Sequence, residues 1–207
     1  MNIFILSEER EPLLHYKQQA QYHLDRHVVK MIAESTQMLV TSLSFHANYH
    51  NMIGKLAAAP QIADNLPCKP LSASMTKHPC TQWACSSIVN FNYLACLALQ
   101  LCHEHQYRYP LSAEHAYMPW LVTLVDHLTR SGFGPSYALP SQFAVAVKDA
   151  NKRTTATDHA TALDTYRSYY VRDKRSFATW KKRMKPMWFL LREELMDSKA
   201  GGFVKTY

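Results

Sequence analysis

A narrow polar stripe on an otherwise apolar segment, His23 to Leu39, carries the residue types best suited to chemistry. Successive helical residues are turned by about 100°, so four polar side chains fall within an arc roughly 80° wide. An imidazole, an ammonium, a carboxylate and an amide on a rigid, mostly dry helix suit general acid–base or nucleophilic catalysis. The four are His27, Lys30, Glu34 and Gln37, joined by His23 and Arg26 if the helix begins earlier.

The same stripe has two other interpretations. Lys30 and Glu34 are four residues apart, and such ion pairs are common on ordinary solvated helices. His23 and His27 have the spacing of zinc ligands. They lack the intervening Glu of the usual helical zinc motif and an obvious third ligand, so we expect no metal site.

A second candidate group precedes the most apolar part of the chain, where Lys77, His78 and Pro79 are followed by Thr81 and Trp83. A residue before proline favours extended backbone, which can project the His78 ring from the start of a helix. Helix N-termini attract anions such as phosphate, and Thr81 could cap this one. We include Lys77, His78 and Trp83 among the candidate site residues, although Lys77 and His78 are also typical of a plain loop.

The C-terminal part of the chain, 166–189, interleaves Lys and Arg residues with aromatic residues. Cations can neutralise phosphates, and aromatic rings can stack on extruded bases. The alternative is an amphipathic segment with an aromatic core face and a wet basic face, and the two interpretations can coexist. The candidates for DNA contact here are Arg167, Tyr170, Lys174 and Arg183, while the residues expected mostly in the core are Tyr170, Phe177, Trp180 and Trp188.

Composition restricts the class of protein. The 207 residues include only 5 Gly, 47% are apolar, and the formal net charge is +7. Few glycines favour helices, and a basic balance favours a polyanionic partner, for which we expect DNA. The 5 Cys residues form neither a paired metal motif nor a disulfide framework, which favours a reducing cytoplasm. We expect no membrane span and no cofactor, because no phosphate loop, nucleophile elbow or zincin motif occurs.

The elements that must position these residues follow from periodicity. We predict an all-α fold: a single compact helical domain over 1–197 with a short extended N-terminal segment, a long central buried helix and a loose tail over 198–207. A break at Leu24–Asp25, with Asp25 as an N-cap, divides the first helical region. The other predicted elements are an extended segment at 2–6, helices within 12–44, a long irregular connection at 46–77, one buried helix over 80–107, a helix over 114–131 closed by Gly132, a helix over 156–171, and a basic helix over 174–195 interrupted at Pro186.

The motifs together resemble a family of small helical, often phage-encoded proteins that is mainly uncharacterised. The resemblance rests on Met1 to Phe4, His23 to Leu39, His78 to Trp83, and Tyr166 to Phe189. More distantly, the layout is similar to pyrimidine-dimer DNA glycosylases of the endonuclease V type.

The second resemblance implies attack on the sugar C1′ by an N-terminal amine, assisted by a helix glutamate. Asn2 is bulky for Met removal, so that amine would belong to Met1, and Glu34 is the best match for the glutamate.

The leading hypothesis is a DNA-directed enzyme acting on a base or its glycosidic bond. Lys30 or the Met1 amine would be the nucleophile, in a neutral form favoured by desolvation or by Arg26. Glu34 would be the general acid/base, and His27 and His78 would orient or protonate. The alternatives are an enzyme that modifies a hypermodified pyrimidine in viral DNA, in a host cytoplasm, and a non-catalytic DNA-binding or host-interaction protein.

Overall fold

Two long helices form the centre of the fold. The computed structural model describes residues 2–45, 51–72, 74–147 and 156–201, and these are mostly helical, which confirms the all-α class. The long helices α2 and α6 pack along each other, and the remaining elements surround them. The helices are α1 (Pro12–Tyr22), α2 (Asp25–Phe45), α3 (Asn51–Ala57), α4 (Pro60–Ala63), α5 (Pro79–Ser86), α6 (Ile88–Arg108), α7 (Met118–Arg130), α8 (His159–Tyr169) and α9 (Met187–Gly201). Strands β1 (Gln142–Phe143) and β2 (Thr157–Asp158) form one antiparallel pair.

The predicted single helix over 80–107 is wrong, because the chain bends by 113° between α5 and α6. Ser87 is extended at the bend, with φ −156° and ψ 156°, and its hydroxyl accepts a hydrogen bond from the Asn90 amide at 3.1 Å. Serine side chains compete with helical hydrogen bonds in this way and favour helix starts over helix interiors. Hydrophobic periodicity continues across the break, which is why the pattern alone does not reveal it.

A test of length and hydropathy on the described residues finds no single helix able to cross a membrane. The α5–α6 pair passes that test only when its two bent members are taken together.

The N-terminal extended segment lies in the core, as expected. Ile3 to Leu6 are buried, although no neighbouring strand pairs with them in the described part of the chain. The Gln19 side chain takes the place of a strand partner: its Oε1 accepts from the Leu6 and Ser7 amides at 2.8 Å each, and its amide donates to the Phe4 carbonyl. This arrangement satisfies backbone groups that would otherwise be buried without partners.

The predicted break at Leu24–Asp25 is confirmed, but the capping role of Asp25 is not. Asp25 is the first residue of α2, and its carboxylate makes tertiary contacts. It accepts from the Arg108 guanidinium at 2.8 Å and from the Lys181 amide at 2.9 and 3.0 Å. The carboxylate therefore holds two distant segments at the start of α2.

The connection over 46–77 contains more structure than expected. It includes α3, α4 and a 3-10 turn at Met75–Lys77, while 46–50 and residue 73 lie outside the described residues. Ile53 and Ile62 are buried, and the Trp120 indole donates to the Ile62 carbonyl at 3.2 Å. Short helices form here because α3 packs against α2 and α4 packs against α7, which stabilises segments that are too short to be recognised by periodicity.

The C-terminal half differs from its prediction mainly in helix length. Gly132 has φ +85° and ends α7 with its amide donating to the Thr129 carbonyl, as expected for a glycine C-cap. After α8 the chain makes a π turn at Tyr170–Lys174 and a 3-10 turn at Arg175–Phe177. The prediction of a basic helix over 174–195 is therefore wrong for the residues before α9, which begins at Met187. Helix α9 runs through 198–201, and the rest of the expected tail, 202–207, lies outside the described residues.

Candidate functional site

Lys30 and Glu34 form an ion pair at the surface of α2, with 3.3 Å between Lys30 Nζ and Glu34 Oε1. The Lys30 side chain is 63% exposed, whereas the Glu34 side chain is 15% exposed. The second carboxylate oxygen of Glu34 is buried and has no hydrogen-bond partner within the described residues. A carboxylate with one paired and one unpaired oxygen retains the capacity to accept a proton or a hydrogen bond.

His78 lies at the N-terminus of α5 and caps it. Its Nδ1 accepts a hydrogen bond from the Cys80 amide at 3.2 Å, so the ring is oriented with Nε2 as the protonated nitrogen of its neutral form. Burial lowers the pKa of His78 below its usual value, and the Glu34 carboxylate opposes that shift. Helix α2 packs against α5, and this packing brings the Glu34 carboxylate close enough to His78 to affect its pKa.

Cys80, at the start of α5, is buried, and its thiol is neutral. Burial raises the pKa of the Cys80 thiol to about 11, and the thiol contacts the Ile3 amide and the Tyr166 hydroxyl. The Tyr166 hydroxyl donates to the Ala144 carbonyl at 2.9 Å. A thiol of this kind is a poor nucleophile, and its role here is to fix the start of α5 against the N-terminal segment.

The predicted wet stripe is wrong at His27 and His23, which are both buried. His27 Nδ1 lies 2.7 Å from the Tyr170 hydroxyl, and its ring stacks on Phe4 at 4.5 Å between centroids. His23 Nδ1 donates a hydrogen bond to the Gln19 carbonyl at 2.7 Å. The N-terminal segment and the end of α8 cover this part of α2, so His27, His23 and Tyr170 belong to the core.

These buried histidines predict a stability that depends on pH. Desolvation lowers the pKa of His27 to about 3 and that of His23 to about 4. Above pH 6.5 neither state binds these protons. As pH falls below 6.5 the unfolded chain binds them and the folded chain does not, so each histidine removes about 1.4 kcal/mol of stability per pH unit.

We expect urea unfolding to show this loss between pH 6 and pH 4.5. The His27→Gln variant should show a shallower dependence on pH than the wild type, whatever its stability at neutral pH. Equal slopes for the two proteins would contradict a neutral, buried His27.

Trp83 and Arg167 are also buried and engaged within the fold. The Trp83 indole donates to the Gln142 carbonyl at 2.8 Å and stacks on Phe143. Arg167 donates to the Leu6 carbonyl at 3.0 and 2.8 Å, and to Glu8 at 2.9 Å. Both side chains hold core segments together and are not placed for the DNA contacts expected of them.

Two predicted cations, Arg26 and Lys174, lie near the start of α2 with Lys30. Arg26 is four residues before Lys30 and therefore on the same face of α2. Arg26 is exposed and lies over the Phe177 ring, which it shares with the Lys174 ammonium. We call Arg26, Lys30 and Lys174 the basic edge.

The remaining candidates have different positions. Lys77 is exposed at the end of the 3-10 turn before His78, and Gln37 is half-buried one turn beyond Glu34. Arg183 is bound to the carboxylate of Glu104 at 2.9 and 2.8 Å. The Met1 amine lies outside the described residues.

Buried Arg108 and Glu104, with half-buried Asp25, form a network that the sequence does not reveal. Arg108 is 0% exposed and donates to Glu104 at 2.7 Å, to Asp25 at 2.8 Å and to the Gln21 carbonyl at 2.9 Å. Glu104 and Arg108 have the spacing of an ordinary surface ion pair, so only their neighbours could show that they are buried. Cys80 is the other residue that sequence reasoning missed, and its position beside His78 was the available signal.

Within the described ranges, no group of three or more His, Cys, Asp or Glu side chains converges to hold a metal ion. We take Lys30, Glu34 and His78 as the centre of the candidate site, because Glu34 is paired with Lys30 and affects the pKa of His78.

Comparison of the chain with family models, with curated proteins and with solved structures gives no match.

Proposed function

We propose that the protein is a DNA-directed enzyme that acts on a base or its glycosidic bond, with Glu34 as the general acid/base. The observation that supports this most is the state of the Glu34 carboxylate. One oxygen is paired with the Lys30 ammonium, while the other is buried and has no hydrogen-bond partner in the described part of the chain. Leaving a buried acceptor unpaired costs about 1–3 kcal/mol, and such a cost is common where a group is held for chemistry.

The Lys30–Glu34 pair can perform the proposed step with balanced proton transfers. At 3.3 Å, Glu34 can take a proton from the Lys30 ammonium and leave a neutral amine. The amine attacks the sugar C1′ and forms a C–N bond, while the bond from C1′ to the base breaks and its electrons leave with the base. Glu34 then returns its proton to the departing base. The Lys30 nitrogen, bound to C1′, gives up one proton to the ring oxygen O4′ as the C1′–O4′ bond breaks, and the product is a protonated Schiff base between Lys30 and C1′. The exposure of Lys30 means that bound DNA must supply the desolvation this amine needs.

His78 supports the same step through its orientation. Its Nδ1 is used as a helix cap, so its Nε2–H is the group available to donate to a phosphate or a base oxygen. The helix dipole at the N-terminus of α5 also favours the negative charge of a phosphate bound there. His78 would then position the substrate next to Glu34.

The basic edge supports DNA as the partner. Arg26, Lys30 and Lys174 lie near the start of α2, and the whole chain carries a formal net charge of +7. Cations grouped beside a carboxylate neutralise backbone phosphates and bring the sugar close to the reacting groups.

Borohydride trapping on duplex DNA with an abasic site tests this proposal. We expect a covalent adduct with the wild type, its loss in Lys30→Ala, and its retention in Lys174→Ala, which removes a matched lysine of the same edge. The C1′ aldehyde of an abasic site condenses with an amine to the same Schiff base, with loss of water. An adduct that persists in Lys30→Ala would contradict this residue as nucleophile, and no adduct with any protein would contradict the Schiff base. A change in nucleoside mass without an adduct would favour transfer of a group to a modified pyrimidine.

A further inference from the structure

The segment from Trp180 to Pro186 forms a basic turn with an exposed apolar tip, which we call the basic turn. Met184 is 90% exposed, the largest exposure of any methionine in the described chain. Lys181 and Lys182 are exposed beside it. Exposed apolar side chains are common on protein surfaces, and Met184 differs from the others in lying beside two lysines on a turn whose backbone is fixed.

The backbone of the basic turn is held firmly by the core. The Trp180 indole donates to the Tyr22 carbonyl at 3.0 Å, and the Lys181 amide donates to both Asp25 carboxylate oxygens. The bonds from Arg183 to buried Glu104 add a third anchor. The turn therefore presents its tip from a fixed scaffold, which lowers the entropy cost of binding.

One residue of the basic turn has unusual backbone geometry. Lys182 has φ +57°, and it has a side chain at a position where glycine is favoured. Its ammonium donates to the Tyr107 carbonyl at 3.2 Å. Left-handed backbone at a residue that is not glycine is concentrated at binding and functional sites.

Residues of the basic turn line two open cavities. One, of about 390 Å³, is lined by Tyr109, Leu111 and the two lysines. The other, of about 270 Å³, is lined by Tyr22, Met184 and the start of α9. Both lysines and Met184 therefore border space that a ligand can enter.

We propose that the basic turn inserts Met184 between stacked base pairs of duplex DNA, while Lys181 and Lys182 contact the phosphates on either side. Apolar wedges such as methionine unstack base steps and kink the duplex, and nearby lysines neutralise the backbone. This inference rests on DNA as the partner in the proposed function. It assigns the basic turn a role separate from the chemistry at Glu34.

The basic turn and the candidate site lie at different places on α2. Asp25, which binds the turn, is nine residues before Glu34, a distance of about 14 Å along the helix axis, and nine residues turn the helix so that the two side chains point to opposite faces. Contact of DNA with the turn is therefore separate from the chemistry at Glu34.

An acidic membrane is the competing partner for lysines beside an apolar side chain. Other exposed apolar residues, Met187 and Leu191, continue from the turn along α9. The same helix exposes Glu194 and Asp197, whose charges oppose contact of that helix with any anionic partner. The contact therefore involves the turn alone, and the vesicle measurement below distinguishes a membrane from DNA.

The test uses a short duplex with 2-aminopurine at a central TA step, whose fluorescence rises when the base is unstacked. With the full-length protein we expect a rise for the wild type and a roughly fivefold smaller rise for Met184→Ala. Val122→Ala is the matched control, since Val122 is exposed on α7 away from the turn, and it should behave as the wild type. The Lys181→Gln/Lys182→Gln variant should lower the salt dependence of log K by about 1.8.

The inference is overturned if Met184→Ala gives the same fluorescence as the wild type. It is also overturned if the wild type binds phosphatidylserine vesicles through the basic turn and leaves the duplex stacked. Because no reaction is measured, these results are independent of Glu34. A Glu34→Gln protein that unstacks DNA as the wild type does, and that gives no trapped adduct, would support both proposals separately.

Discussion

Under the proposed function, the Glu34→Gln variant is expected to lose activity on DNA by about a hundred- to ten-thousand-fold, the usual contribution of a positioned general acid/base. The amide has nearly the same shape as the carboxylate, but it cannot take a proton from Lys30 or return one to a leaving base. The loss should appear in kcat under saturating DNA, with binding changed little. Single-turnover rates on the substrate that the wild type processes provide the measurement.

A matched control distinguishes this chemical effect from a change in charge. Glu194 is exposed on α9, and Glu194→Gln should leave the rate within about twofold of the wild type, as expected for a surface change away from the site. Equal rates for Glu34→Gln and the wild type would make a non-catalytic DNA-binding protein the better interpretation.

The Glu34→Gln variant also tests the contact between Glu34 and His78, through the titration of His78. The Glu34 carboxylate opposes the downward shift that burial imposes on the pKa of His78. In Glu34→Gln the His78 titration, followed by NMR, should therefore move to lower pH. A titration that does not move would show that the two side chains do not interact, and the candidate site would lose its second member.

Arg108→Met is expected to destabilise the fold by about 3–5 kcal/mol, the usual cost of removing one partner from a buried ion pair. The guanidinium is fully buried between Glu104 and Asp25. Without it, Asp25 loses its cation and Glu104 keeps only its bonds to Arg183. A loss of this size is a large part of the stability of an ordinary domain, and urea unfolding at neutral pH measures it.

The control for Arg108 is Arg130→Met, which removes an exposed arginine paired with Asp126 in the same i,i+4 arrangement. That change should cost less than about 1 kcal/mol, because solvent screens surface pairs. If the two variants unfold at the same urea concentration, the network around Glu104 does not contribute as its burial indicates. Hydrogen exchange at the Lys181 amide should also increase in Arg108→Met, since Asp25 holds that amide.

Local patterns were sufficient for part of the candidate site. The helical spacing of Lys30 and Glu34 placed them in contact, and His78 before Pro79 was expected at the start of a helix, where it lies. Both predictions depend on residues close in sequence. The backbone period and the geometry of proline determine such arrangements wherever the segment packs.

Other candidate residues were misplaced because their surroundings come from distant segments. His27 is covered by Phe4 from the N-terminus and by Tyr170 from the end of α8. The sequence pattern predicted Arg167 and Arg183 to be surface cations. In the fold Arg167 binds the Leu6 carbonyl, and Arg183 binds Glu104. Periodicity shows which face of a helix is polar, but it does not show what lies against that face.

The amino-acid sequence by itself determined the helical class, the break before α2 and the extended N-terminal segment, because these follow from the scarcity of glycine and from local apolar patterns. Only the tertiary structure decided where α5 and α6 separate and which part of the polar stripe remains at the surface. It also decided that Glu104 and Arg108 are buried together. Those outcomes depend on contacts between segments far apart in the chain, whose free energy is not encoded in any local window.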